Sequence, residues 1–341
     1  MPNLVPGDVH VQVPLTQIMI AYAQQSKDFI ADKVFPVVPV DHQSDFFYKF
    51  GRRAYLQTNA ALRAPGTETP GVEWTFTKSS FFAPVWGLHT DIEDQLRSNA
   101  DANFQFDTAG TELITQQMLL RRDLQWVSSY FASNTWGETL TGTASGSPSS
   151  TQFTQFDVAG STPIEVFRAA KLRFKRRTGM MPNIAVFSTN AYNALLDHPE
   201  IIERIKYTQA GFLTEELIAR ALGIDQVLVA SAVQATNQDE EIVADVAPTT
   251  QWITGASSGA DANGILLVYS APRPSRNTPS AGYTFAWNGY LGASAWGGRI
   301  KKFRMEHLAT DRIEIEAAYT CQVTAPELGT FLSGCVANPI S

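Results

Sequence analysis

Residues 107–133, DTAGTELITQQMLLRRDLQWVSSYFAS, carry the strongest helical pattern in this sequence. Apolar residues recur there at spacings of three, four and seven, which is the stripe of an amphipathic helix: Leu113, Leu120, Leu124, Val127 and Phe131. Asp107 is the expected N-cap. At about 1.5 Å per residue, such a helix is about 40 Å long. We therefore expect one long helix to organise the fold.

A long strand near the C-terminus is the expected partner of this helix. One strand face is apolar by strict alternation: Ile313, Ile315, Ala317, Tyr319, Cys321 and Val323. The other face is polar, beginning with Arg312, Glu314 and Glu316. The strand is longer than the usual five or six residues or so, which suits packing along a long helix. We expect it to lie against residues 107–133, so that one domain combines distant parts of the chain.

Residues 1–45 are apolar but irregular, and they predict an N-terminal arm. Alternation over 9–13 predicts an edge strand, and a short helical pattern follows Pro14. In the run VFPVVPV, residues 34–40, two prolines exclude a central strand and favour an extended segment. Because such a segment has no core of its own, it must lie on a surface supplied by something else.

Residues 46–85 predict a long β-hairpin. Aromatic runs lead in at 46–50 and out at 74–77, and the tip at 64–71 reads APGTETPG. A lone two-stranded hairpin is marginally stable in water. Ordering its backbone costs about 1–2 kcal/mol per residue. We therefore expect the hairpin to dock on another surface.

Residues 162–295 alternate helix and strand signals, which indicates a compact α/β domain. Thr162 is the expected cap of a helix that starts at Pro163, carries a capping-box Glu165 and ends at Gly179. Further segments follow: strands at 184–187, 227–230 and 265–269, a helix from 191 that is interrupted at Pro199, and a helix from Thr214 to Gly223. The fold class predicted for the whole chain is α+β.

Composition limits the classes of function. The chain has 341 residues, 44% hydrophobic and only 17% charged, below the roughly 25% of an ordinary soluble domain. With 20 Phe and 7 Trp, this indicates apolar surface that meets another protein. A net charge of -7 argues against a protein that coats nucleic acid with a basic face.

Cysteine use and hydropathy indicate the compartment. Cys321 and Cys335 are expected to be free buried thiols in a reducing cytosol. No apolar run approaches the ~20 residues of a membrane span. The N-terminus lacks the residue order of a secretory signal. These features predict a protein that is made and used in a cytosol.

The search for catalytic chemistry is largely negative. No P-loop, G-x-S-x-G, H-E-x-x-H or G-x-G-x-x-G motif is present. His89, Asp91 and Glu93 could hold a divalent cation, although a polar strand running into a helix start explains them more simply. Asp197 and His198 could form a carboxylate–histidine pair, but no nucleophile lies near them in sequence. We read that segment as a helix break.

One helix carries an unusual number of cations: Arg168, Lys171, Arg173, Lys175, Arg176 and Arg177. They could form a phosphate-binding face. They could also be a solvated helix face near its C-terminus, or pair with acidic residues of a neighbouring subunit. The acidity of the whole chain favours the solvated face.

Four segments, in this order, resemble tailed-bacteriophage major capsid proteins. They are FIADKVFPVVPV (29–40), DHPEIIERIKY (197–207), LGIDQVLVA (222–230) and PSAGYTFAW (279–287). The resemblance covers most of the chain. It implies the capsid fold that is shared with encapsulins and with the floor domains of herpesvirus capsids.

That resemblance implies four parts. Residues 1–45 would be the N-terminal arm and 46–85 the extended β-hairpin loop. Residues 86–161 with 296–341 would be the peripheral domain, which contains the spine helix at about 107–133. Residues 162–295 would be the axial domain.

The implied function is that of a structural protein, not an enzyme, with no metal or other cofactor. Hexamers and pentamers of the chain would tile an icosahedral shell around double-stranded DNA, in a virion assembled in the host bacterial cytoplasm. The partners are further copies of itself, portal and scaffolding proteins, a decoration protein, and packaged DNA in weak non-specific contact, with no membrane. No crosslinking pair maps onto the sequence. The alternatives are an encapsulin-like bacterial compartment and a metal-dependent hydrolase using His89, Asp91 and Glu93.

Contacts between subunits are expected from aromatic and charged residues of the two arm segments. The candidates are Phe35, Phe46, Phe47, Tyr48, Phe50, Arg52, Arg53, Arg63, Glu68, Trp74 and Phe76.

Overall fold

The computed structural model describes residues 24–73, 75–99, 105–144, 148–205, 214–235, 250–256, 261–273, 278–289 and 297–337. The edge strand predicted at 9–13 and the short helix predicted after Pro14 lie outside these ranges.

Helices and strands both contribute to the described residues, which confirms the predicted α+β class. The helices are α1 (Ala31–Val34), α2 (Arg52–Leu56), α3 (Asp94–Asn99), α4 (Phe106–Tyr130), α5 (Pro163–Thr178), α6 (Thr189–Leu196), α7 (Pro199–Ile205), α8 (Glu215–Leu222) and α9 (Ile253–Ala256). The strands are β1 (Val37–Val40), β2 (Ser44–Phe50), β3 (Phe76–Phe82), β4 (Val85–Glu93), β5 (Thr139–Thr143), β6 (Gln152–Thr154), β7 (Ile184–Ser188), β8 (Gln226–Ala230), β9 (Val233–Ala235), β10 (Thr250–Trp252), β11 (Ile265–Val268), β12 (Gly282–Trp287), β13 (Gly298–Met305), β14 (Thr310–Val323) and β15 (Gly329–Ser333).

The long helix α4 packs on the long strand β14, as the two sequence patterns predict. The strand lies in a five-stranded sheet of order β1-β12-β14-β13, and β4 also pairs with β14. Its apolar face contributes Ile313, Ile315 and Tyr319 to a core shared with Ile114 and Met118 of α4. Alternation along the strand and helical spacing thus identified two surfaces that meet.

The buried stripe of α4 differs from the predicted one. Leu113, expected in the core, is 53% exposed. The next residue, Ile114, is buried instead, and Trp126 beside Val127 is fully buried. The rest of the predicted stripe does face the core, because Val127 and Phe131 are fully buried and Leu120 and Leu124 pack against the core cluster. Asp107 is not the N-cap, since that position falls on Gln105.

A six-stranded sheet of order β6-β5-β15-β11-β7-β8 forms the second half of the molecule. The strands predicted in the α/β segment are present as β7, β8 and β11. The helices of this segment pack on the sheet through a second core that includes Phe167, Phe187, Leu195, Ile218 and Leu267.

This sheet crosses the domain boundaries predicted from the sequence. The strands β5, β6 and β15 come from residues assigned to the peripheral domain, yet they continue the sheet of the α/β segment. Main-chain pairing of β15 with β11, antiparallel, and with β5, parallel, joins them. Short strands that pair over such sequence distances carry no local signal of their partner.

The helix α5 begins and ends where the sequence predicts, but its start is stabilised differently. Thr162 occupies the cap position without a side-chain hydrogen bond to the helix. The backbone N–H of Ile164 instead donates to a carboxylate oxygen of Glu200 at 3.2 Å. Gly179 ends the helix with φ = 78°, a left-handed conformation that favours glycine.

Residues 24–41, a segment we call the strap, lie along their own chain. The strand β1 pairs in parallel with β12 at the edge of the first sheet, so Val37 lies opposite Thr284 and Val40 opposite Trp287. An edge position tolerates Pro39, as the sequence predicts. The expectation that this part of the arm needs an outside surface is wrong, because the same chain supplies it.

Candidate intersubunit surfaces

The hairpin of β2 and β3 has two faces of opposite character. The strands pair antiparallel, with Ser44 opposite Phe82 and Phe50 opposite Phe76. Since side chains alternate along a strand, one face carries Phe47 and Phe81, and the other carries Phe46 and Tyr48. The predicted hairpin is therefore present, with a long connection over 51–75.

The first face packs on the chain's own body. The rings of Phe81 and Phe285 stack with centroids 4.3 Å apart, and Phe47 lies 5.6 Å from Phe285. Phe81 is buried by this contact. Phe47 was predicted to meet a neighbouring subunit, but here it is half-buried against β12.

The second face has no cover within the described part of the chain. Its large side chains are exposed: Phe46 53%, Tyr48 57%, Phe76 60% and Phe82 58%. Tyr48 and Phe76 contact each other edge to face at 5.5 Å, and the Lys78 ammonium lies 3.6 Å from the Phe46 ring centroid. We call Phe46, Tyr48, Phe76 and Phe82 the aromatic face. Contiguous exposed aromatic surface marks a binding surface rather than a solvated one.

In the connection between the two strands, every residue from 55 to 73 is exposed. Arg63 donates to the carbonyl of Thr67 at 2.6 Å, Glu68 is exposed, and Leu62 is fully exposed. Arg52 reaches back to the carbonyl of Arg177 at 3.0 Å, which ties α2 to the end of α5. Of the other candidates, Trp74 and the side chains of Phe50 and Arg53 lie outside what the structure describes.

Phe35, also predicted as a contact between subunits, is a core residue of this chain. It has no solvent exposure and lies among Trp126, Tyr130 and Trp136, with ring centroids 5.3–6.4 Å away. Its ring also covers Gly282, where an added Cβ would lie 2.4 Å from a ring carbon. A side chain enclosed by its own chain cannot meet a neighbour, so this candidate is wrong.

The strap is fixed to α4 by a buried carboxylate that the sequence pattern did not reveal. The backbone N–H groups of Ile30 and Ala31 donate to the two oxygens of Asp123 at 2.7 and 3.1 Å. Burial raises the pKa of Asp123 to about 6 against the lowering effect of these bonds. Beside it, Arg122 pairs with Asp32 of the strap. Three polar contacts thus join one turn of the strap to the long helix.

Replacing Asp123 by asparagine is expected to loosen the strap at pH 8, where the carboxylate is ionised. One acceptor oxygen becomes an amide donor that faces a backbone N–H, and an unpaired buried group costs about 1–3 kcal/mol. Exchange of the Ile30 and Ala31 amide hydrogens should accelerate accordingly. Asp107→Asn is the control, since its pairs with Arg97 and Lys302 are exposed and worth less than about 1 kcal/mol. Unchanged exchange in Asp123→Asn would contradict the anchoring role.

His198 lies beside a serine that is distant in sequence. Ser161 Oγ and His198 Nε2 are 2.9 Å apart, and both residues are buried. The pair does not have the geometry of a nucleophile and its base. His198 Nδ1 accepts the Glu200 N–H at 3.1 Å, so the proton of the neutral ring sits on Nε2 and points at Ser161. Ser161 in turn donates to the carbonyl of Phe156. The pair fixes the turn before α7.

Acidification should destabilise the chain through His198. Burial lowers the pKa of His198 below its usual value, outweighing Glu200, so the folded state prefers the neutral ring. Its contribution is present above pH 6.5 and is lost as the pH falls below that value. His198→Gln can keep the bond to Ser161 without titrating. The free energy of unfolding, measured by chemical denaturation, should therefore fall more in the wild type than in this variant as the pH is lowered from 7.5 to 5.5. A difference between the two proteins that stays constant with pH would contradict this role of His198.

The metal-site hypothesis fails on the geometry of β4. Asp91 is held by Arg312 through two hydrogen bonds of 2.7 Å. His89 and Glu93 share the strand face with it, and Asp94 begins α3. Among the described residues, no three His, Cys, Asp or Glu side chains are grouped so that they could hold a metal ion. The predicted polar strand running into a helix is what the structure shows.

Within the described ranges, no helix combines the length and the apolar character that crossing a bilayer requires.

The fold has counterparts among solved structures. It combines a hairpin with an uncovered aromatic face, a long helix on a long strand and an α/β sheet. A capsid structure from cyanophage P-SCSP1u has this fold: the match has a TM-score of 0.57 at 13% identity and covers 97% of this chain and 94% of that one.

Sequence comparison finds similarity to phage major capsid proteins. The profile of the family described as phage major capsid protein E matches residues 147–279. The major capsid protein of Burkholderia phage BcepMu is 25% identical over 66% of this chain and 70% of its own length. The major capsid protein of Pseudomonas phage JBD67 is 23% identical over 95% of this chain and 96% of its own.

The chain is similar to phage major capsid proteins in sequence and in fold. These comparisons support a structural protein of the virion rather than an enzyme.

Proposed function

We propose that this chain forms hexamers and pentamers that close an icosahedral shell around double-stranded DNA, with the aromatic face of each hairpin covered by a neighbouring copy. The single observation that carries the proposal is that face. Four large aromatic side chains stay exposed on a hairpin whose opposite face is already packed on its own chain.

The energetics favour a protein neighbour as the cover. Burying apolar surface contributes about 25 cal/mol per Å², so four half-exposed aromatic residues represent several kcal/mol at each contact. A shell repeats that contact in every subunit. The connection over 51–75 extends the same element with further exposed residues, including Leu62 and Val72. The two sheets with their helices, which cut across the peripheral and axial boundaries predicted above, would provide the remaining contacts.

The contents and further partners follow from the same proposal. Assembly would take place in the host bacterial cytoplasm with scaffolding and portal proteins, a decoration protein would bind the finished shell, and the DNA would be held by weak non-specific contacts. An encapsulin-like compartment has the same fold and would enclose protein cargo instead. Both relatives named above are phage proteins, which favours DNA.

The contents of purified particles distinguish a DNA-filled capsid from a compartment with protein cargo. We expect particles isolated from infected cells to contain nuclease-resistant duplex DNA after treatment with DNase. Particles that consistently hold a second protein and no DNA would support the compartment and contradict the capsid proposal.

A further inference from the structure

The cations of α5 fall into two groups once the fold is known. Arg173 and Arg177 pair with Glu138 at 3.4 and 3.0 Å. Lys171 donates to the carbonyls of Leu222 and Gly223 at the end of α8. These three side chains are therefore engaged in contacts within the chain. Arg168, Lys175 and Arg176 are exposed and have no acidic partner among the residues that the structure describes.

The uncommitted cations lie close together on one side of the helix. Arg168 and Lys175 are two turns apart, about 10 Å along the axis, and Arg176 lies one turn beyond Leu172. Arg204 of α7 approaches the same place. Its charge and that of Arg168 add to burial, the larger cause, in holding the pKa of Lys171 below its usual value. We call Arg168, Lys175 and Arg176, together with Arg204 and the internally bonded Lys171 beside them, the cationic strip.

A strip of like charges is unfavourable by itself, since repulsion between neighbouring cations destabilises a helix face. Around the sheet of β4, β13 and β14 the same chain neutralises its cations locally, as in the pairs of Arg304 with Asp94 and of Arg312 with Asp91. The strip therefore differs from that sheet, in a chain whose net charge is -7. Three of its five members are arginines, which match phosphate oxygens well.

We propose that the cationic strip binds the phosphate backbone of duplex DNA without reading its sequence. This rests on the proposed function, in which DNA fills the shell. Duplex DNA carries one charge per about 1.7 Å of its axis, so a strip of about 10 Å faces several phosphates at once. Leu172, exposed between these cations on the same helix, adds nothing to a phosphate contact.

The test compares two triple variants of the full-length chain before assembly. The strip variant is Arg168→Ala, Lys175→Ala, Arg176→Ala. The control is Lys27→Ala, Lys33→Ala, Arg273→Ala, which removes three cations elsewhere and changes the net charge equally. Binding of a labelled 30-base-pair duplex is measured between 50 and 200 mM salt. Loss of three phosphate contacts should lower the slope of log K against log salt by about 2.7 in the strip variant.

The control should bind like the wild type, and two unrelated duplex sequences should be affected equally. Equal losses in both triple variants, or none in either, would overturn the proposal. Binding of polyglutamate and the variant Leu172→Ala test an acidic protein as the alternative ligand. If the strip variant loses binding of polyglutamate but not of DNA, or if Leu172→Ala weakens binding of the duplex, the strip binds an acidic protein instead. Electron microscopy of the same variants shows whether they still form shells, so a loss of DNA binding can be distinguished from a loss of assembly. The strip variant should still form shells.

Discussion

Replacing Phe46, Tyr48, Phe76 and Phe82 by threonine is expected to abolish shell assembly while leaving the chain folded. Each side chain is more than half exposed in the single chain, so its loss removes little from the folded core. Threonine keeps the strand propensity of the hairpin. If each aromatic residue contributes about 1 kcal/mol to a contact, the variant loses about 4 kcal/mol per contact, which raises the concentration needed for assembly by roughly a thousandfold.

The matched control leaves the aromatic residues in place. Thr77→Ser and Ser80→Thr alter the same strand β3 at positions that carry little apolar surface. Sedimentation should show shells for the control and only small species for the aromatic variant, with the same circular dichroism for both. Deleting residues 56–72 should act in the same direction, because that connection is exposed. Normal shells from the aromatic variant would show that the face has no neighbour.

Phe35→Ala is expected to destabilise the isolated chain by about 3–5 kcal/mol, the range for truncating a buried phenylalanine. Phe35 is fully enclosed by Trp126, Tyr130 and Trp136, so its removal leaves a cavity between the strap and α4. Urea unfolding of the unassembled chain measures the change. Phe82→Ala truncates an exposed phenylalanine and should change stability by less than about 0.5 kcal/mol.

Comparing Phe35→Ala with Phe82→Ala decides whether the strap belongs to the core of its own chain or to a contact between subunits. If Phe35 contacted a neighbouring subunit, the truncation would impair assembly and leave the unassembled chain as stable as the wild type. That outcome would contradict the strap as part of its own chain's core. The observed bonds from Ile30, Ala31 and Thr284 to their own chain predict the opposite.

The elements with a long periodic signal could be predicted from the sequence. Helix α4, strand β14 and the hairpin of β2 and β3 each extend over many residues, so a pattern of 3.6 or 2 is unmistakable. Their mutual packing also followed, because an apolar face of that length needs an equally long partner. The error is confined to Leu113 in the first half of the helix, where Gln117 also interrupts the predicted stripe.

The features that were missed depend on residues far apart in the chain. Asp123 reads as one more polar residue of a helix until the backbone of Ile30 and Ala31 lies against it. Ser161 is 37 residues from His198 in sequence. The sheet made of β5, β15 and β11 likewise joins strands with no local mark of their partners. Only charge at an otherwise apolar helix position, as at Asp123, could have suggested a buried partner.

Phe35 shows how the same pattern permits two outcomes. An apolar residue beside two closely spaced prolines predicts an extended segment that must be covered, and the sequence does not state by which surface. The resemblance to capsid proteins favoured a neighbour for the whole arm. The structure assigns residues 24–41 to their own chain, and the aromatic face is left as the better candidate for contact between copies.

The central claim is that copies of this chain complete each other at the hairpin. Electron cryomicroscopy of the particles assembled from the full-length chain, with its scaffold where required, tests it most directly. We predict closed icosahedral shells in which a neighbouring copy covers Phe46, Tyr48, Phe76 and Phe82. Stable monomers under all conditions, or shells in which these four side chains still face solvent, would contradict the account.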